Sequence, residues 1–127
     1  MHSSRLAALV IDCQTDDLPR EAAFWGAALG LAVKPPKTEA GEEIYLDLAE
    51  VAGQPQILLQ KVTHPSRVHL DIETDDIEAE VRRLEALGAK RVTQIRDWWV
   101  LEAPSGHRFC VVPPQRGDFP AGATTWP

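Results

Sequence analysis

From Arg67 to Glu73 polar and apolar residues alternate, with Arg67, His69, Asp71 and Glu73 set against Val68, Leu70 and Ile72. A period of two predicts a strand with one apolar face. Past Asp75-Asp76 the period lengthens: Ile77, Val81, Leu84 and Leu87 recur at helical spacing, and Gly88 supplies a left-handed stop. Asp75-x-x-Glu78 predicts a capping box in which an acid replaces the usual Ser or Thr. The same strand-to-helix order occurs earlier. Laying Val10–Glu21 (VIDCQTDDLPRE) over His69–Glu80 (HLDIETDDIEAE) matches Asp12 with Asp71, Thr15 with Thr74, Asp16 with Asp75, Asp17 with Asp76 and Glu21 with Glu80. In this first copy Pro19 suits the opening helical turn. Leu18, Trp25 and Leu29, with Phe24 and Ala28 beside them, form the predicted apolar stripe, and Gly30 ends the helix.

Three strand candidates follow each helix. After the first they are Leu31–Lys34, Glu43–Ala49 and Gln56–Val62, separated by the turn-rich stretches Pro35–Gly41 and Glu50–Pro55. After the second they are Arg91–Arg96, Trp98–Glu102 and Arg108–Val112, with Pro104-Ser105-Gly106 as a tight turn. The expected fold is α+β, a βαβββ module repeated in tandem. Residues 1–114 make the domain, module one over about 4–62 and module two over about 66–114. Residues 115–127, rich in Pro and Gly, are expected to be an irregular tail anchored by Phe119 or Trp126.

A chain of 127 residues can bury a core without staples, and 44% hydrophobic with 25% charged residues is ordinary for a globular protein. The net charge of -6 argues against nucleic acid, which needs clustered Lys and Arg; the densest basic runs are Arg82-Arg83 and Lys90-Arg91. The apolar stretch Leu6–Ile11 runs into Asp12 and is too short for an export signal, and no segment has the length of a membrane span. Cys13 and Cys110 both fall in strand-like runs, which suits reduced, packed thiols. The expectation is a cytoplasmic protein with no membrane partner.

The segments DDLPREAAFWGAALG, RVHLDIETDDIEAEVRRLEALGA and WWVLEAPSGHRFCVVPP, with the strands between them, cover nearly the whole chain up to Pro114. In these the sequence resembles the vicinal oxygen chelate superfamily, which includes glyoxalase I, extradiol dioxygenases, fosfomycin-resistance enzymes and bleomycin-binding proteins. The resemblance implies curved mixed sheets around a cavity, with the helices on the convex face. Val68, Leu70 and Ile72 would then lie under the second helix, leaving Arg67, His69 and Asp71 toward the cavity. Ala8, Val10 and Asp12 would take the same places on the first strand, and Cys110 and Val112 would face inward while Phe109 and Val111 pack under a helix. Many relatives of this length are dimers, so a homodimer is expected.

Metal-dependent members of that superfamily bind a divalent ion through His, Gln or Glu on the opening strand of each module and a carboxylate on the closing strands. By that pattern His69 is the matching ligand position. Val10 stands at its counterpart in module one, Cys110 stands where the closing Glu is usual, and Leu58 and Gln60 are nearest on the fourth strand. Several ligands and an open position are needed for catalysis, so no metal and no other cofactor is expected.

The remaining candidates belong to the binding of a small organic molecule. His69 is the best catalytic candidate, as a hydrogen-bonding group or general base; its structural alternative is a bond to Asp71, Arg67 or a neighbouring strand. Arg67 and Gln60 flank the module boundary and would reach a polar ligand group. Trp98 and Trp99 occupy consecutive strand positions, so one faces the core and the other offers an aromatic wall. Cys110 faces inward as a small apolar filler. The leading reading is a glyoxalase-like small-molecule-binding protein without the catalytic metal. Its rivals are a metal-dependent lyase, isomerase or dioxygenase drawing on Gln60, Glu102 or His107, and a non-enzymatic interaction module.

Overall fold

The computed structural model describes residues 1–36 and 44–127. Its elements, in chain order, are β1 (His2–Gln14), α1 (Leu18–Leu29), β2 (Tyr45–Asp47), β3 (Gln56–Val62), β4 (Arg67–Thr74), α2 (Ile77–Ala86), β5 (Lys90–Ile95), β6 (Trp98–Glu102), β7 (Arg108–Val112) and β8 (Thr124–Trp126). Both parallel and antiparallel pairs occur among the strands. The α+β class and the twice-repeated strand–helix–strands order are those the sequence predicts. The chain divides into a unit of Ala8–Val68 and a unit of Met1–Ala7 with His69–Pro127.

In the Ala8–Val68 unit the second half of β1 runs parallel to β3, pairing Val10 with Leu58 and Asp12 with Gln60. β2 lies antiparallel on the other edge of β3, Tyr45 opposite Gln60. The expected strand Leu31–Lys34 is reduced to a bridge between Val33 and Leu48, reinforced by Lys34 N–H to Asp47 O and Ala49 N–H to Ala32 O. Of the expected strand Glu43–Ala49, Glu43 lies outside the described residues, as do residues 37–41 of the turn-rich stretch before it.

The α1 stripe differs from the expected one. Leu18, Ala22 and Gly26 are its buried residues, with Trp25 partly buried against the core of Cys13, Leu46, Leu48 and Leu59. Phe24 and Leu29 are exposed. The cause is close approach: a Cβ on Gly26 would sit 2.7 Å from the Leu31 carbonyl oxygen and 3.2 Å from Val33 Cγ2. Small residues therefore face the strands and the large ones flank them.

In the other unit the first half of β1 lies between β8 and β4, and the order continues β4-β7-β6-β5. β4 and β7 are parallel, Asp71 opposite Cys110 and Ile72 opposite Val111. β6 is antiparallel to β7, Val100 opposite Cys110 and Leu101 opposite Phe109. Val81 of α2 packs on Leu101 and Val111, joined by Ile77, Leu84, Trp99 and Phe109. The expected face assignment of β7 therefore holds for Phe109 and Val111. On β4 it needs correction, because Val68 and Leu70 are 56% and 43% exposed; α2 packs on β5, β6 and β7 and leaves the start of β4 uncovered.

Each helix starts on the second Asp of its pair. Asp17 accepts from Arg20 N at 3.2 Å and Asp76 from Ala79 N at 3.1 Å, satisfying amides the helix itself leaves open. The expected Asp75–Glu78 capping box is absent: Asp75 accepts instead from Ser3 N, and Glu78 binds Arg82 and Arg91. The tail is not wholly irregular. Its strand β8 pairs with His2–Ser4, Trp126 donates to Ser4 Oγ, and Arg83 stacks over the Trp126 ring.

Candidate functional site

Residues two apart on a strand share a face, and residues directly opposite across a ladder share it too. His69, Asp71 and Glu73 therefore project from one side of β4, the side away from Ile72, Val111 and α2. Cys110 stands beside Asp71, and Val112 beside Glu73. On β6, Val100 continues the first row by pairing with Cys110. Trp98, two positions before Val100, lies on this same face, whereas Trp99 packs with the α2 core under Arg91. The alternation thus separates the tryptophans, and of the pair only Trp98 remains a candidate wall.

The polar centre of this face is compact. His69 Nε2 is 3.3 Å from Asp71 Oδ1. One donor atom each from His69, Asp71 and Cys110 lie within 4.8 Å of one another. Asp71 Oδ1 is buried without a hydrogen bond. All three side chains are half-buried.

Glu73, fully buried, is held on the same face by Arg5, whose Nη2 donates to Glu73 Oε1 at 3.0 Å and to Asp118 Oδ1 at 2.8 Å. Arg116 Nε lies 3.5 Å from Glu73 Oε2. Burial disfavours the Arg5 charge, yet the bonds to Asp118 and Glu73 more than offset this and raise its pKa. The hydrogen bond from Arg5 in turn holds the Asp118 carboxyl below its ordinary range. This network was not among the sequence candidates; the polar side of the Arg67–Glu73 alternation was its one sequence signal.

The other candidates lie in the Ala8–Val68 unit. Arg67 Nε is 3.6 Å from Asp12 Oδ2, a carboxylate only 2% exposed. Gln60 donates to Tyr45 Oη at 3.1 Å. The Cys13 thiol beneath α1 is pushed up by burial and by the charges of Glu21 and Asp12, which makes it inert. A depression of about 500 Å³ in this unit is bordered by Gln14, Asp16, Lys61 and Thr63 and includes none of the predicted site residues. Of the rival ligands, His107 is taken up by Ser105 in the turn before β7, and Glu102 pairs in register with Arg108.

The ligand set implied for a metal-dependent member does not fit these residues. Val10 is a buried apolar side chain, Leu58 has no donor atom, and Cys110 offers sulfur in place of a carboxylate.

Repeated strand–helix–strands modules, each with its helix on one sheet face and with polar groups gathered on the opposite face of the second, define a protein of the glyoxalase/bleomycin-resistance/dioxygenase fold. The chain belongs to the glyoxalase-like domain family, whose pattern matches residues 8–112. Solved structures agree in fold. A hypothetical protein of Bacillus halodurans is similar with a TM-score of 0.61 at 15% identity, over 91% of this chain and 98% of that one. Methylmalonyl-CoA epimerase of Mycobacterium tuberculosis gives 0.56 at 16% identity, over 87% and 88%. A glyoxalase/bleomycin resistance protein/dioxygenase superfamily member of Vibrio splendidus gives 0.50 at 20% identity, over 85% and 98%. No curated protein matches the sequence. Among the described residues no helix is long and apolar enough to cross a membrane.

Proposed function

We propose that this glyoxalase-like chain binds a small organic molecule on the face of β4, β7 and β6 that turns away from α2. The observation that carries the reading is the gathering of His69, Asp71 and Cys110 on that face, beside Val100 and on the same side as Trp98. A few convergent polar groups next to apolar and aromatic surface are what a small-ligand site requires. The ligand class that suits it has a polar end for His69 and Asp71 and a flat or apolar body for Val100 and Trp98. If chemistry follows binding, His69 is the group to move a proton, since Asp71 at 3.3 Å orients its ring.

The same reading includes a cytoplasmic homodimer. Two unbridged thiols suit a reducing compartment. Val68 and Leu70, exposed on β4, suit contact with a second copy. Light scattering at micromolar concentration tests the dimer, and a monomer overturns it.

The test of binding is a thermal-shift screen of polar-headed aromatic and aliphatic metabolites, followed by calorimetry on any hit. Saturable binding to wild type that is lost in His69→Ala and weakened in Trp98→Ala supports the proposal. A hit indifferent to both substitutions, or no hit across the screen, sinks it.

A further inference from the structure

We propose that Cys110, His69 and Asp71 form a nucleophilic triad, and that the chain adds the Cys110 thiol across the double bond of a flat, conjugated carbonyl compound. The backbone assembles it. His69 and Asp71 are successive residues on one face of β4, and Cys110 is the direct partner of Asp71 across the parallel ladder. One donor atom from each side chain lies within 4.8 Å of the other two.

Nucleophile, base and orienting acid are the three roles such chemistry needs, with contacts that are often looser before a substrate arrives. The Cys110 thiol is the nucleophile and the His69 imidazole its base. Asp71 Oδ1, 3.3 Å from His69 Nε2, holds the ring, so Asp71 acts through His69 as a positioning residue. The other cysteine is a direct contrast. Cys13 is sealed in the core beneath α1, where burial and the charges of Glu21 and Asp12 raise its pKa, whereas Cys110 is only half-buried.

The neighbours of Cys110 select the substrate. Asp71 stands on one side of it in the sheet and Val100 on the other, with Trp98 two positions before Val100 on the same face. The sulfur thus sits where polar surface meets apolar surface. A flat apolar body over Val100 and Trp98 brings an attached unsaturated carbonyl group to the sulfur, and this placement rests on the small-molecule reading above. Acyl transfer fits less well. It needs donors fixed on a developing oxyanion, and the ladder neighbours of the sulfur are a carboxylate and a valine.

The step balances as an addition. The S–H proton passes to His69 as sulfur bonds the far carbon of the double bond, so negative charge does not stand on sulfur beside the Asp71 carboxylate. The π pair moves onto the carbon next to the carbonyl, as an enolate. The imidazolium then returns the proton to that carbon. No group leaves, and neither oxidant nor reductant is consumed. The product is a thioether on Cys110, which makes the chain a covalent trap for such compounds.

The experiment treats the full chain with benzylideneacetone and follows adducts by intact-mass spectrometry and peptide mapping. Adduct is expected on Cys110 and not on Cys13, at a rate that saturates with concentration. That rate should exceed the rate of the same thiol in urea-unfolded chain by roughly 10²–10⁴-fold, the range of general acid–base catalysis. Comparing folded with unfolded wild type needs no variant to fold. His69→Ala should lose the advantage and regain part of it with imidazole in the buffer, a rescue that a merely structural histidine would not show. Asp71→Asn should lower the maximal rate and leave the half-saturation concentration unchanged; Trp98→Ala should do the reverse. A Cys110 rate at or below that of unfolded chain, or one indifferent to His69→Ala, overturns the triad. Such a result with saturable binding of the saturated ketone benzylacetone would leave the small-molecule reading standing. A fast, His69-dependent rate that never saturates and ignores Trp98→Ala would keep the triad and remove that reading.

Discussion

His69 and Asp71 stand two residues apart on β4, with Nε2 and Oδ1 at 3.3 Å. A strand places such residues on the same face by geometry alone, so the pair is fixed by the period of the chain and needs no folded loop to bring it together. The repeat leaves this pair without a counterpart in the first module: Asp12 matches Asp71, but Val10 stands where His69 does. Asp12 faces Arg67 instead, at 3.6 Å. The two modules share a backbone plan and differ in the chemistry written on it.

The tryptophans on β6 should separate cleanly in experiment. Trp99→Ala removes an aromatic from the α2 core and should cost about 3 kcal/mol in urea unfolding. Trp98→Ala should cost under half as much and act on ligand affinity. Equal destabilisation by the two substitutions would show that they share the core.

Glu80 is fully buried between His2 and Arg83, accepting from His2 Nε2 at 2.9 Å and from Arg83 at 2.7 and 2.9 Å. Burial works against its charge, but the bonds from Arg83, His2 and Ser4 and the charge of Arg83 hold its pKa below the usual glutamate value. A depressed carboxyl contributes stability above its unfolded pKa, near 4.3 on the order of model peptides, and loses it as pH falls through the lower folded value. Urea midpoints should therefore fall below about pH 4.3. Glu80→Gln should flatten that acid limb and cost on the order of 3 kcal/mol at pH 7. An acid limb of undiminished slope in the variant would assign the effect to other carboxylates.

Gly26→Ala tests close approach against helix propensity. Alanine gains about 1 kcal/mol in a helix interior, but its Cβ would meet backbone at Leu31 O and force α1 off its strands. A net loss of about 1–3 kcal/mol is expected from overpacking. A thermal midpoint at or above that of wild type would show that the helix shifts freely.

Val68 and Leu70 supply a test of assembly. The double substitution Val68→Glu, Leu70→Glu should leave the thermal midpoint of the fold within a few degrees, because both side chains are already exposed. It should convert a dimer to monomer in light scattering. A dimer that persists would place the contact elsewhere.

Sequence periodicity made β3, β6 and β7 legible to the residue, since alternating or continuous apolar runs bounded by Gly and Pro have little else to be. It also found α2, whose apolar stripe is strong. It misjudged α1 because Ala22 and Gly26 carry almost no hydrophobic signal, although close packing needs small residues there. It passed over β8 because three residues in a Pro- and Gly-rich tail form a strand only where β1 offers an edge. At the candidate site His69 and Cys110 were legible as neighbours on a shared face. The partial burial of Asp71 depends on tertiary packing that no local pattern reports. The Arg5–Glu73–Asp118 network joins residues far apart in the chain, where a sequence shows only charges that would ordinarily meet water.

The division of β1 bears on how the chain is made. Residues 8–68 form an unbroken stretch, so that unit can assemble while the remainder is still on the ribosome. Residues 1–7 belong to a unit whose other members start at His69, and among the described residues the edge of His2–Ser4 is closed by β8. Ser4 and the Trp126 that binds it are 122 residues apart. The entropic cost of such closure grows only with the logarithm of the span, so the delay is one of time more than of energy. During that interval the His2–Ser4 edge lacks its β8 partner, and the synthesis of Thr124–Trp126 is what covers it.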